Sequence, residues 1–352
     1  MLSSLPKLTD KNFVIAFLLP ALLALLAVAQ VFPNASWSLA LVGQLTAEEK
    51  LLPDVAVLVL AVWVLAVLLL TANHGIYRMI EGYLWPVSSL GFLKQRQERL
   101  FSSLSDEYER LQGEWTSAVA LGTQFPLSKQ KRINDLRLML VSRFPTKLEE
   151  VKPTRFGNAI RAFEVYPREV YGADSISVWL RLASVIPKEF QALVDDARAQ
   201  VDFFVNAGVM SLAVALVTLT WLVVQFVSAT GGAKWLRLNW RTSWLLFSNA
   251  FVANGCCRLA VVATLSIGFC LLAYQCAVLR VGAWGDLVKS AFDCYLPALA
   301  EKLGYPLPAT EADRKEFWGE FSTMILYWQP MELKANNRTN PLATLLKTIW
   351  RY

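Results

Sequence analysis

The sequence has very little histidine and few charges for its length. His74 is the only histidine among 352 residues, and 18% of the residues are charged, whereas soluble domains carry about 25%. A single histidine excludes a histidine-rich metal site and disfavours a histidine-based catalytic triad. The five cysteines form no CxxC pair, so neither zinc binding nor thioredoxin-type chemistry is indicated.

Glycine-rich phosphate loops are also missing. The densest polar stretch, PTRFGN at 153–158, has one glycine, whereas a Walker loop or a dinucleotide fingerprint needs several. No paired nucleophile and base is visible elsewhere in the chain. The sequence therefore predicts a protein that is not an enzyme and holds no cofactor.

What the chain has instead is long stretches without charge. No charged residue occurs at 12–47, 55–77, 203–233 or 259–279. About 20 apolar residues are enough for a helix to cross the core of a bilayer. We therefore expect an all-α membrane protein with four transmembrane helices, arranged as two pairs.

The domain organisation follows from these four spans. A helical cytoplasmic domain separates the two pairs, and a helical cytoplasmic tail follows the second pair. The expected segments are the N-terminus at 1–12, spans one and two at 13–73, the cytoplasmic domain at 74–202, spans three and four at 203–280 with an amphipathic loop at 231–258, and the tail at 281–352.

The orientation follows from lysine and arginine, which favour the cytoplasmic ends of spans. Lys7, Lys11 and Arg78 lie on one side of the first two spans, and only Lys50 lies on the other. We therefore expect both termini in the cytoplasm.

The loop after the third span is cationic. Lys234, Arg237 and Arg241 are three and four residues apart, so they share one helical face, and Trp235 lies beside them. This composition is typical of a helix that lies on the membrane surface. Alternating spans would put the loop outside, against the positive-inside tendency; a segment that dips in and out on the cytoplasmic side is the alternative.

Several helices are expected in the water-facing parts. From Pro187, one unbroken helix of roughly 40 residues should enter the third span. Ser128 is a candidate N-cap for a cytoplasmic helix, Asp174 or Ser175 for another, and Thr310 with Asp313 resembles a capping box.

Two polar groups are candidate functional sites. Arg155, Asn158, Arg161 and Glu164 can bind a phosphate or nucleotide, or can form an ion-pair network inside the domain. Glu81, near the end of the second span, is either an ion-pair partner of Arg78 or another arginine, or a gating contact.

The spans themselves contain no ionisable mid-membrane group, which counts against a proton-coupled pump. A pore remains compatible with the sequence, lined in an oligomer by polar residues such as Thr218 and Gln225. The cationic run Lys129, Lys131 and Arg132 lacks interleaved aromatic residues, so nucleic acid is disfavoured as a partner.

The stretches EGYLWP, PTRFGNAIRAFE, YGADSISVWLRL and WGDLVKSAFDCY resemble a group of bacterial multi-pass inner-membrane proteins with no assigned activity. The resemblance covers most of residues 74–330. It implies a bacterial inner membrane and brings no cofactor, activity or site residue.

The expected function is therefore non-enzymatic. The chain is expected to form a homo-oligomer that couples a cytoplasmic sensing or partner-binding domain to the lipid bilayer, as a channel-like or membrane-perturbing effector of the kind used in antiviral defence. The alternative is a membrane anchor or scaffold that recruits a soluble partner protein.

Overall fold

The computed structural model describes residues 10–32, 51–230, 256–328 and 331. Within these ranges the chain forms helices and turns, with no β-strand. The predicted all-α class is confirmed. Residues 231–255 of the amphipathic loop expected at 231–258, and the end of the tail, lie outside the described residues.

Four helices are long and apolar enough to cross a membrane, as the uncharged stretches predicted. They are Lys11–Val31, Ala56–Glu81, Lys188–Gln225 and Cys256–Lys302. These four helices are compatible with a multi-pass membrane protein.

The first of these helices changes its winding near its start. Lys11–Phe13 (α1) leads into a π-helical segment, Val14–Leu18, and then into Leu19–Val31 (α2). Pro20 lies at the second position of α2, next to the π-helical segment. A proline has no N–H to donate to the carbonyl four residues before it, so the winding changes where the α-helical ladder is interrupted.

The second helix, Leu51–Glu81 (α3), packs with the first around a shared apolar core. Small side chains lie at the centre of this core, including Ala16, Ala21 and Ala66. Small residues let helices in a membrane approach closely. Phe13, Phe17, Val62 and Leu69 fill the space around them.

Gly91–Ala120 (α4) and Leu127–Arg143 (α5) form a helical hairpin. The predicted cap at Ser128 is wrong, because α5 begins one residue earlier and Pro126 occupies the N-cap position without a side-chain cap. Proline is favoured around the first turn of a helix, where its missing N–H has no intrahelical partner to lose.

Ion pairs join the two helices of this hairpin. Arg132 donates two hydrogen bonds to the carboxylate of Glu107, at 2.8 and 2.7 Å. Lys129 donates to Glu114 at 2.6 Å. The first turn of α5 can be cationic because Lys129 and Arg132 have carboxylate partners on α4. The Arg132 hydrogen bonds lower the pKa of Glu107 below its ordinary value.

The helix Arg155–Tyr171 (α6) begins against the end of α3. The hydroxyl of Thr154 donates to the carbonyl of Ile80 at 2.7 Å. A Cβ atom at Gly157 would lie 2.5 Å from the carbonyl oxygen of Glu81, so only glycine permits this approach.

The predicted unbroken helix through the third span is confirmed. Lys188–Thr230 (α8) has 43 residues, and its first half is polar while its second half is apolar. The fourth span likewise continues past the apolar stretch, in Cys256–Lys302 (α9), which has 47 residues.

The chain divides into two compact units. Unit 1 comprises residues 1–163 and 186–291, and unit 2 comprises residues 164–185 and 292–352. The helices α3, α4 and α5, all of α8 and most of α9 lie in unit 1. Unit 2 contains Ser175–Leu182 (α7) and Glu311–Tyr327 (α10).

Unit 2 is held by caps and aromatic packing. Asp174 caps α7, because its carboxylate accepts from the backbone N–H of Ser177 at 2.9 Å. Thr310 caps α10 by accepting from the N–H of Asp313. Both predicted caps are therefore confirmed. The aromatic core beneath them consists of Tyr305, Phe317, Trp318 and Phe321.

Candidate functional site

Asp202 is the centre of a polar junction between the second and third spans. It lies on α8 and is followed in the sequence by 31 uncharged residues, which begin the apolar half of the helix. It is only 6% exposed. Its Oδ1 accepts hydrogen bonds from the hydroxyl of Tyr77 at 2.7 Å and from the amide of Asn73 at 3.2 Å. Both donors come from α3, so the carboxylate ties the two helices together.

A cation on the same helix partly compensates the negative charge of Asp202. The guanidinium of Arg198, one turn earlier, lies 3.7 Å from Oδ2. Arg198 is itself about half exposed and also lies 5.9 Å from the ring centroid of Trp284 on α9. A buried carboxylate with two hydrogen-bond donors and a nearby cation satisfies the requirement that buried charges be paired.

Asn206 continues this polar face one turn further into α8. It is fully buried, and its amide donates to the carbonyl of Ala16 in the π-helical segment at 2.9 Å. The carbonyl oxygens of the Asn206 and Asn73 side chains are buried, and within the described residues they have no donor. A buried polar atom left without a partner costs about 1–3 kcal/mol.

A salt bridge outside the apolar region joins the same helices again. Lys11 donates to Asp196 at 2.9 Å, and both side chains are well exposed. Exposed pairs of this kind contribute about 0–1 kcal/mol. Within the described residues, most of the hydrogen bonding between the first three spans is therefore made by Asn73, Tyr77, Asp202 and Asn206.

The predicted ligand cluster on α6 is engaged in contacts with other parts of the protein. Asn158 is buried; its Oδ1 accepts from the N–H of Lys152 at 2.6 Å and its Nδ2 donates to the Lys152 carbonyl at 3.0 Å. Arg161 lies 3.3 Å from Glu150, and Arg155 lies 3.3 Å from Gln275. These three side chains therefore contact different parts of the protein. Glu164 lies further along the same helix, where unit 2 begins.

The predicted pore and gating residues are spread over two helices. Thr218 is fully buried and donates to the carbonyl of Val214 within α8 at 2.7 Å, and Gln225 is half-buried on the same helix. Glu81 is half-buried at the end of α3. The Arg78 guanidinium, one turn before Glu81, lies 4.1 Å from the ring centroid of Tyr83; the role predicted for Glu81 stays a prediction.

The remaining predicted residues, Lys234, Trp235, Arg237 and Arg241, lie outside the described part of the chain. Among the residues that are described, no group of three or more histidine, cysteine, aspartate or glutamate side chains is arranged to hold a metal ion.

Sequence reasoning passed over the junction because it considered each span alone. The available signal was a pair of polar residues four apart on each of two apolar helices: Asn73 with Tyr77, and Asp202 with Asn206. Residues four apart share one face of a helix. Two such faces in a membrane are expected to meet each other, since lipid offers their polar groups no partner.

Comparison with known proteins adds no relative to this description. No protein-family model, no curated protein and no solved structure matches the chain.

Proposed function

We propose that this chain is a non-enzymatic integral membrane protein of the bacterial inner membrane, that it works as a homo-oligomer, and that it transmits the state of a cytoplasmic domain to its transmembrane helices. The hydrogen bond between Tyr77 and Asp202 carries the proposal. It lies where α8 changes from a polar helix to an apolar one, and it joins that point to the second span.

Helix α8 supplies the mechanical part of this proposal. It has 43 residues, and neither proline nor glycine occurs in it before Gly208. A helix of that length spans about 65 Å at 1.5 Å per residue. A displacement of its polar half is therefore delivered to its apolar half. The Asp202 junction decides whether the second span moves with it.

The unpartnered amide oxygens of Asn73 and Asn206 fit a junction that has a second arrangement. Native proteins retain few buried polar atoms without partners, and such atoms mark stored strain or a functional role. In the proposed second state, these oxygens gain donors while the Tyr77–Asp202 bond is released. Interfaces that switch between two discrete pairings are the usual devices of coupling.

The outcome proposed for the membrane is channel-like conduction or local perturbation of the bilayer, of the kind used in antiviral defence. Thr218 and Gln225 are the candidate polar lining, and Glu81 is the candidate gating residue. The cationic segment with Lys234, Trp235, Arg237 and Arg241 is proposed to lie on the membrane surface. Arg155, Asn158, Arg161 and Glu164 are the candidate trigger site.

A second candidate function, a scaffold that recruits a soluble protein, is favoured by the tip of the α4–α5 hairpin. Leu121 and Leu127 are 77% and 82% exposed there, and Val119 and Trp115 are exposed beside them. Exposed apolar side chains in a cluster are typical of protein-binding surfaces.

A membrane-potential dye in overproducing bacteria separates the two functions. The effector function predicts depolarisation, and predicts that Tyr77→Phe changes its extent at equal membrane abundance. Tyr83→Phe is the matched control, because the Tyr83 hydroxyl forms no hydrogen bond in the described structure. Intact potential at high abundance, together with a monomeric particle in detergent, would refute the effector function and leave the scaffold.

A further inference from the structure

Two cations share one aromatic ring at the end of the second span. The guanidinium of Arg78 and the ammonium of Lys152 each lie 4.1 Å from the ring centroid of Tyr83. The two charges are consequently no more than about 8 Å apart. Within the described ranges, neither cation has a carboxylate partner.

The protein positions Lys152 beside this ring through two elements. Asn158 holds the backbone of Lys152 by bonding both its N–H and its carbonyl. Pro153 lies so close to Gly82 that a Cβ on that glycine would be 2.7 Å from it. The loop is therefore fixed against the end of α3, and the two cations are brought together by the fold.

Paired cations of this kind are unfavourable without an anion. Each cation gains a small stabilisation from the aromatic ring, while the two charges repel each other. The carbonyl end of α3 attracts nearby cations, but a single cation is enough to compensate its partial negative charge. An anion with several oxygens offsets the repulsion directly, because each cation can donate a bond of about 2.7–2.9 Å to a different oxygen.

The position of the site indicates which kind of anion it binds. Arg78 lies three residues before the end of a membrane-spanning helix that terminates at Glu81. The segment that follows exposes Trp85 at 78% and Phe92 at 64%. Aromatic residues of this kind are enriched at the depth of the lipid headgroups, where the phosphates of phospholipids lie.

We propose that Arg78 and Lys152, held on the ring of Tyr83, bind the phosphate group of an anionic phospholipid. The site fixes the depth of the second span and joins the 151–154 loop to the membrane surface. A phosphate in solution has the same chemistry, so the test must separate the two sources.

The test uses the full-length protein, purified in detergent and titrated with phosphatidylglycerol or with phosphatidylcholine of the same acyl chains. Native mass spectrometry measures lipid retention, and thermal unfolding measures stabilisation. Removing one juxtamembrane charge weakens binding to anionic lipid about fivefold. We expect the Arg78→Gln/Lys152→Gln double variant to bind phosphatidylglycerol at least twentyfold more weakly, the two losses combining, with phosphatidylcholine unaffected.

The control removes the same charge nearby. Arg96 and Arg99 are exposed at the start of α4 and form no ion pair in the described structure, so Arg96→Gln/Arg99→Gln should retain most of the binding. Tyr83→Phe keeps the ring and should also retain it. Because Arg78 is exposed, the glutamine variants should fold, and their unfolding temperature without lipid checks this.

Three results would overturn the proposal. Equal weakening in both double variants would indicate general surface charge. Unchanged lipid binding in Arg78→Gln/Lys152→Gln would show that the site takes no lipid. Stabilisation by inorganic phosphate that this variant loses, without loss of lipid binding, would assign the site to a soluble anion.

Discussion

The side-chain amide of Asn206 donates a 2.9 Å hydrogen bond to the backbone carbonyl of Ala16, which lies 190 positions earlier in the chain. In an unbroken α-helix this carbonyl would accept from the N–H of residue 20. Residue 20 is a proline and has no N–H. Asn206 therefore supplies the donor that the proline removes, and the third span repairs a defect in the first.

A double-mutant cycle tests this relationship. Asn206→Leu should destabilise the protein by about 1–3 kcal/mol, because the Ala16 carbonyl loses its donor. In the Pro20→Ala background the new N–H of residue 20 can replace it, so the same substitution should cost clearly less. The free energies of unfolding are measured in mixed detergent micelles by titration with a denaturing detergent.

The matched control for this cycle is Thr218→Val, which removes a buried hydroxyl from the same helix. Its effect should add to that of Pro20→Ala within about 0.5 kcal/mol, as for distant sites. Additivity of Asn206→Leu with Pro20→Ala would contradict the repair.

Glycine at the contact between α3 and α6 gives a second prediction. Gly157→Ala places a Cβ where the Glu81 carbonyl oxygen lies, so it should separate the start of α6 from the end of α3 and destabilise the protein by more than about 2 kcal/mol. Gly75→Ala is the control, since nothing lies within 4 Å of a Cβ there. In a helix it should be neutral or stabilising by up to about 1 kcal/mol. Equal losses for the two variants would refute the close contact.

The local parts of the fold could be predicted from the sequence because they depend on neighbouring residues. Uncharged length is enough to identify four apolar helices, and Asp174 and Thr310 cap their helices through bonds to the third residue on. The absence of a breaker after Pro187 predicts the long helix α8.

The site could not be predicted in the same way, because its partners are distant. Asp202 was visible as the last charge before an apolar stretch, but its partner Tyr77 lies 125 positions away. Asn158 fits a phosphate-binding pattern by composition, yet in the structure it bonds the backbone of Lys152. Composition states which groups need partners; only the packing of the helices decides which partners they obtain.

A third prediction concerns pH and unit 2. The hydroxyls of Tyr166 and Tyr171 both donate to Oδ1 of Asp293, at 2.9 and 2.7 Å. Burial, followed by this hydrogen bond, raises the pKa of Tyr171 well above its ordinary value of 10.0. A raised folded-state pKa stabilises the protein fully below the unfolded-state pKa, and the stabilisation is lost as pH rises through the folded-state pKa.

The measurement is a titration of phenolate absorbance in the alkaline range, with Tyr171→Phe as the reference that identifies the Tyr171 signal. Asp293→Asn removes the negative charge, so Tyr171 should ionise at lower pH than in the unmodified protein. The loss of stability should still begin near pH 10, the unfolded-state pKa, but in Asp293→Asn it should end at a lower pH and be smaller in total, because the folded-state pKa is lower. An unchanged Tyr171 signal in Asp293→Asn would show that burial alone raises this pKa.

The last prediction asks which contact of Asp202 holds the junction. Asp202→Ala leaves the Tyr77 hydroxyl and the Asn73 amide without an acceptor in an apolar region, which should destabilise the protein by about 2–4 kcal/mol. Arg198→Gln removes a side chain that is 55% exposed and 3.7 Å from the carboxylate, and its loss should cost less than about 1 kcal/mol. Tyr77→Phe should lie between them.

The order of these three losses discriminates between two accounts of the junction. If hydrogen bonds from the second span hold Asp202, Tyr77→Phe costs more than Arg198→Gln, and combining Tyr77→Phe with Asp202→Ala costs less than the sum of the two. If the local ion pair holds it, Arg198→Gln costs the most and the combination is additive. The second outcome would leave α8 fastened only to itself, and a displacement of its polar half would then have no connection at Asp202 to the second span.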